Sequence, residues 1–177
     1  MAGTLVWMDM EMTGLEPETC AILEIATVIT NDNLEILAEG PNLVIRHDRS
    51  VLDAMDDWNK KHHGESGLID KSLTSPWTVA KAEAETLAFV KQHAAARESP
   101  LCGNTIWQDR RFLMRYMPAL DQHLHYRNID VSTLKELVKR WMPEVVAPKK
   151  KGLHTARQDI LESIDELRFY RSILFKV

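Results

Sequence analysis

The chain has 177 residues, 45% of them hydrophobic, with a formal net charge of -4 and two cysteines. That length is enough to bury a core without disulfides and predicts a single domain over residues 1–177. No apolar run approaches the ~20 residues that span a bilayer, and the mild acidity excludes a broad basic surface for long nucleic acid. Cys20 and Cys102 match no metal-ligand spacing, and the N-terminus lacks a basic region followed by an apolar run, so the expected setting is reducing and cytoplasmic.

The first predicted element is a strand from Leu5 to Met12, in which period-two alternation points Trp7, Asp9 and Glu11 one way and Val6, Met8, Met10 and Met12 the other. A second apolar run, Ala21 to Thr30, leads through turn-like Asn31-Asp32-Asn33 to extended segments at Leu34 to Leu37 and Leu43 to Arg46, giving a three-stranded meander. From Val51 to Leu68 the pattern changes to short helices and loops, and Trp77 to Ala96 reads as a long helix rich in alanine. A short strand at Leu101 to Gly103 and a helix from Trp107 to Tyr116 follow. Tyr126 to Ile129 reads as another short strand, and Thr133-Leu134-Lys135-Glu136 as a capping box for a helix reaching Trp141. After a basic, Pro-containing loop over Pro143 to Gly152, the last helix runs from Ala156 to Phe175 with Ile160, Ile164, Leu167 and Leu174 along one side. Strands first, then strands alternating with helices, indicate a mixed α/β domain around a central sheet.

Asp9 and Glu11 are unusual on a hydrophobic strand, because like charge and desolvation both penalise them there. Either a divalent metal lies between them or the strand is an edge with its acids in water. Asp109 lies beyond the carboxyl end of the Leu101 strand, where α/β sheets place functional groups, although pairing with Arg110 or Arg111 would also explain it. His154 and Asp159 would sit about 140° apart if both were helical. Thr155-Ala156-Arg157-Gln158, however, fits a capping box that leaves His154 outside the helix and Asp159 in its second turn. An imidazole at a loop end beside a fixed carboxylate suits a general base for an attacking water. Together the four acids offer the oxygen ligands that Mg²⁺ or Mn²⁺ prefers, and two such ions about 3.5–4 Å apart would clamp a phosphodiester.

The segments Asp9-x-Glu11-Met12-Thr13-Gly14-Leu15, Ile22-Leu23-Glu24-Ile25-Ala26, Gly103-Asn104-x-x-x-Gln108-Asp109-Arg110-Arg111-Phe112 and His154-x-x-x-x-Asp159-Ile160 carry a resemblance over nearly the whole chain. By them the chain resembles the DEDDh family of 3'-to-5' exonucleases. Asp56-Asp57-Trp58-Asn59 and Tyr126 to Thr133 narrow the likeness to its oligoribonuclease group. The resemblance implies a ribonuclease H-like fold, a homodimer, and hydrolysis of very short RNA, especially dinucleotides, to mononucleotides. It would make Asp9, Glu11, Asp109 and Asp159 the ligands of two divalent metal ions, and His154 the general base. Gln158 stands where related sequences often have an acid, and Trp107 occupies a variable position where it either shapes a pocket wall or packs.

The same resemblance suggests substrate contacts. Leu15 would wedge between two bases, or else close the core beneath its turn. Trp58 would stack on a base, or else be buried packing. His63, and with less support His62, would contact a phosphate; as a pair they also suggest a metal site, but further ligands are missing nearby. Arg127 and Ser132 would hold the terminal 5' phosphate in the partner subunit's site, with Tyr126 lining it and Thr105 adding a hydroxyl. Alternatively Ser132 caps a helix on which Tyr126 and Arg127 pack. Lys149-Lys150-Lys151 would either attract RNA or form a solvated loop. Two other readings stand beside the exoribonuclease: a proofreading-type DNA exonuclease using the same acids, and a catalytically silent binding or dimerisation module that keeps the fold.

Overall fold

The computed structural model of the protein describes residues 3–147 and 155–176, so His154 and the Lys149 to Lys151 run lie outside the described residues. The centre is a five-stranded sheet in the order β3-β2-β1-β4-β5. Strands β1 (Thr4–Met12), β2 (Ile22–Asn31) and β3 (Ile36–Val44) form the expected antiparallel meander, and β4 (Pro100–Gly103) and β5 (His125–Asp130) add to it in parallel. Around it pack α1 (Arg49–Asp53), α2 (Asp57–Glu65), α3 (Leu68–Thr74), α4 (Val79–His93), α5 (Ile106–Tyr116), α6 (Pro118–His123), α7 (Val131–Trp141) and α8 (Ala156–Leu174).

The alternation read from β1 divides the core. Val6, Met8 and Met10 join Ile25, Ile29, Leu101 and Phe112 on one face, while Leu5 and Trp7 join Ala26, Val28, Ile160, Ile164 and Tyr170 on the other. Asp9 and Glu11 therefore lie on the face covered by α8. Trp7 is fully buried there, its indole N–H donating to Thr30 Oγ1 at 3.0 Å. Central position, rather than an edge, explains why β2 is buried on both faces, whereas β3 tolerates Pro41 because it is an edge strand.

Local signals misled in four places. The third strand begins after Leu34, which sits in the turn with φ 67°, and runs unbroken through Gly40; a Cβ there would meet the Phe89 ring at 2.5 Å, so α4 packs closely over this point. The helix α6, opened by Pro118, was not expected. Helix α7 begins ahead of Thr133, because Asp130 is its N-cap and accepts from the Ser132 N–H. Thr155 is the N-cap of α8 as expected, yet its side chain makes no capping hydrogen bond, and Gln158 instead lies 3.5 Å from Glu162.

Candidate metal centre

β1 carries Asp9 and Glu11 past the end of its pairing with β4, which stops at the Trp7–Cys102 register. Helix α8 crosses the same face and brings in Asp159 from its first turn, rather than from the second as the sequence suggested. One carboxylate oxygen from each of Asp9, Glu11 and Asp159 lies within 4.8 Å of the others. Oxygen ligands of a hard divalent cation sit about 2.0–2.6 Å from it, so oxygens around one ion are up to about 4–5 Å apart. The trio fits such an ion. Electrostatics agree, since burial first, and then the charges of Asp159, Glu24 and Asp109, push the Glu11 carboxyl up to about 8.

Asp109 reaches the same strand but stands outside the close trio. It is only 7% exposed, and its Oδ1 accepts from the Met10 N–H at 2.9 Å, occupying the edge of β1 beyond the end of β4. Burial, with a contribution from Asp130, pushes its carboxyl up to about 7 against its own hydrogen bonds. The arginine alternative fails, because Arg110 pairs with Asp121 at 2.9 Å and Arg111 with Glu16 at 3.1 Å.

The neighbouring residues settle several open alternatives. Leu15 is 69% exposed, so it does not close the core; its carbonyl accepts from Gln108 Nε2 and from Arg111 at 3.3 Å, which fixes the loop after β1. Trp58 is 68% exposed and stacks on His62 at 4.8 Å between ring centres, so it is not core packing. His63 is buried, donates from Nε2 to the Met12 carbonyl at 2.9 Å, and turns Nδ1 toward Glu11 Oε2 at 3.9 Å.

Thr105 and Ser132 meet at the carboxyl ends of β4 and β5. Their hydroxyls are 3.1 Å apart, and the Thr105 N–H donates to both Asp130 Oδ1 and Ser132 Oγ at 2.9 Å. They border a cavity of about 400 Å³ that Trp107, 54% exposed and so not part of the core, also lines. Tyr126 and Arg127 lie elsewhere. Trp7, Cys102 and Ile129 are level across the sheet, but β5 bulges between the Pro100–His125 and Leu101–Asn128 pairs, so Arg127 sits in the bulge, roughly 11 Å back along the strands from Asp9 and two strands, about 10 Å, across. Tyr126 is 72% exposed, with the Arg127 guanidinium 5.0 Å above its ring.

Residues 6–167 match the family described as Exonuclease, of the RNase T type. An oligoribonuclease of Shewanella loihica (strain ATCC BAA-1088 / PV-4) is 58% identical over 98% of this chain and 96% of its own length, and one of Shewanella baltica (strain OS155 / ATCC BAA-1091) 57% over 99% and 97%. The chain belongs to the oligoribonuclease family of exonucleases. Among solved structures, exonuclease I of E. coli in a zinc-bound complex with single-stranded DNA superposes with a TM-score of 0.75 at 12% identity, covering 98% of this chain. The moderately thermophilic exonuclease I of Methylocaldum szegediense gives 0.72 at 17% identity, covering 97%. This chain spans about 41% of either, and at such identity the likeness shows the ribonuclease H-like fold alone.

Membership in the oligoribonuclease family makes the chain a metal-dependent hydrolase of phosphodiester bonds. Three residues that position its site had no assigned task in the sequence. Gln108 pins the Leu15 carbonyl, Asp130 holds the backbone of Thr105 and Ser132, and Asn104 ties the end of β4 to Ser163 and Glu166 on α8 at 2.8 and 3.0 Å. Asn104 and Gln108 stood in the quoted motif, whose spacing was the available signal; Asp130 carried none beyond its place in the Tyr126 to Thr133 segment.

Proposed function

We propose that this chain removes mononucleotides from the 3' end of very short RNA, above all 5'-phosphorylated dinucleotides, as a single exonuclease domain over residues 1–177 in a cytoplasmic homodimer. Asp9, Glu11 and Asp159 would hold two divalent cations, Mg²⁺ or Mn²⁺, with Asp109 completing the set beside the Met10 backbone, and ions bound there would supply charge stabilisation for the attacking and leaving oxygens. His154 takes the proton from the attacking water. Leu15 separates the two bases and Trp58 stacks on one of them, while His63 faces the scissile phosphate from beside Glu11. Arg127 and Ser132 hold the terminal 5' phosphate in the partner subunit's site, with Tyr126 lining it and Thr105 adding a hydroxyl. No described helix is long and apolar enough to cross a membrane.

The observation that carries this reading is the convergence of Asp9, Glu11 and Asp159 within 4.8 Å on a chain 58% identical to an oligoribonuclease. Turnover of 5'-phosphorylated RNA from dinucleotide to heptamer, with and without Mn²⁺ and beside DNA of the same lengths, tests it. A steep, cation-dependent preference for the RNA dinucleotide is expected. A length-independent rate, or a preference for DNA, would sink the substrate assignment, and no hydrolysis of any short substrate would point to the silent module.

A further inference from the structure

Glu24 is a carboxylate to which the reaction as described gives no task. It lies on β2 directly opposite Glu11 in the antiparallel register, and so on the face that meets α8. It is 6% exposed. A buried anion next to another acid is costly on two counts, desolvation and like charge, and Glu24 is among the charges that push Glu11 up. Something must offset that cost.

The offset is at the start of α8. Glu24 Oε2 accepts from the Ala156 N–H at 3.4 Å, across 132 positions of sequence. Ala156 is the first residue of this 19-residue helix and is itself fully buried, while the N-cap Thr155 provides no side-chain bond. The first N–H groups of a helix have no partner within it, and its N-terminus carries a partial positive charge that a carboxylate complements. Glu24 thus supplies from the sheet the cap that the local sequence fails to make. Asp159 follows within the same turn, its N–H donating to the Thr155 carbonyl at 3.0 Å. The depth at which α8 begins sets where the Asp159 carboxylate stands relative to β1.

We propose that Glu24 is a positioning residue of the metal centre: by accepting from the Ala156 N–H it anchors the first turn of α8 to β2 and holds Asp159 against Asp9 and Glu11. This rests on the reading of those three acids as a cation site. The test is calorimetric titration of Mn²⁺ into the full chain without substrate, comparing the parent with Glu24→Ala, Glu24→Gln and Asp159→Asn. Hydrogen exchange at the Ala156 amide and thermal unfolding in chelator are recorded for each.

Groups that orient metal ligands typically contribute about 10- to 100-fold in affinity, so Glu24→Ala should weaken Mn²⁺ by about that factor and expose the Ala156 amide to exchange. Glu24→Gln, which keeps an accepting oxygen, should bind Mn²⁺ much as the parent does. Parental Mn²⁺ affinity in a folded Glu24→Ala overturns the proposal, as does a Glu24→Gln that binds as weakly as Glu24→Ala, since charge or direct ligation would then be the cause. Should Glu24→Ala not fold, the Gln variant and its Ala156 exchange decide alone. Undiminished Mn²⁺ binding by Asp159→Asn would instead remove the cation reading itself, whatever the Glu24 variants do.

Discussion

His63 turns its Nδ1 toward Glu11 Oε2 at 3.9 Å while its Nε2 donates to the Met12 carbonyl at 2.9 Å. The second contact decides the first: with the proton on Nε2, the neutral ring presents a lone pair to the acidic cluster. Burial also holds the His63 ring below its ordinary pKa, favouring that neutral form. The helix that carries His63 is therefore tied to the strand that carries Asp9 and Glu11.

Replacing His63 with Ala leaves the partly buried Met12 carbonyl without this donor, a loss of about 1–3 kcal/mol and roughly 2–10 °C in Tm. His63→Gln keeps a donor for Met12 but has no ring nitrogen facing Glu11. Its Tm should stay close to the parent's while dinucleotide turnover falls. Parental turnover in His63→Gln would reduce the residue to a strut.

Stability should depend on pH in a direction set by the acids. Glu11 is raised from 4.5 to about 8 and Asp109 from 3.8 to about 7, so between about pH 4 and 8 these two groups bind more protons in the folded chain than in the unfolded one, two large shifts against the single opposing one of the lowered His63. By linkage, stability then falls as pH rises through that window. In chelator, Tm should drop from pH 5.5 to 8. Added Mn²⁺ should raise Tm most at pH 8 and flatten the slope, with protons released on binding. A Tm that rises with pH in chelator would contradict this.

Trp58 lies 68% exposed, with His62 stacked on its ring. Trp58→Ala should leave Tm within a degree or two, yet weaken dinucleotide binding by about 1–3 kcal/mol, equivalent to a KM increase of about 5- to 150-fold. Leu15→Ala should act in the same sense through loss of the wedge. A large fall in Tm for either variant would show a packing role that their exposure argues against.

The proposed place of Arg127 in the partner subunit's site means that its effect should cross between subunits. Loss of a charge-assisted hydrogen bond to phosphate costs about 1.5–3 kcal/mol, so Arg127→Ala should slow cleavage of 5'-phosphorylated dinucleotides about 10- to 150-fold and of longer RNA much less. Mixed dimers of Arg127→Ala with Asp9→Asn should regain activity, because one site then has both an intact metal centre and an intact partner arginine. Mixtures as inactive as their parents would place Arg127 in its own subunit's site or in none.

Much of the fold was legible because its signals are local. Period-two alternation along β1 separated Trp7, Asp9 and Glu11 from Val6, Met8 and Met10, and each group is found on the face expected. Helix caps were less legible, since a cap needs only one acceptor and any part of the chain can supply it. Asp130 preempted Thr133, and Glu24 took the place of the Thr155 side chain. Leu15 and Trp58 remained ambiguous in sequence for a related reason: an apolar side chain looks the same whether it faces a core or a ligand, and only exposure separates the two.

Residue types and short periodicities were enough to establish that this chain carries strand-borne acids, a meander and the motifs of an exonuclease, because such patterns reflect interactions within a few residues. Convergence is different. That Asp159 stands within 4.8 Å of Asp9 and Glu11, that Asp109 is buried against the Met10 backbone, and that Arg127 lies far from all of them are decided by how α8, α5 and β5 pack on one sheet. Distances between groups a hundred residues apart follow from packing over the whole core, which no local pattern encodes.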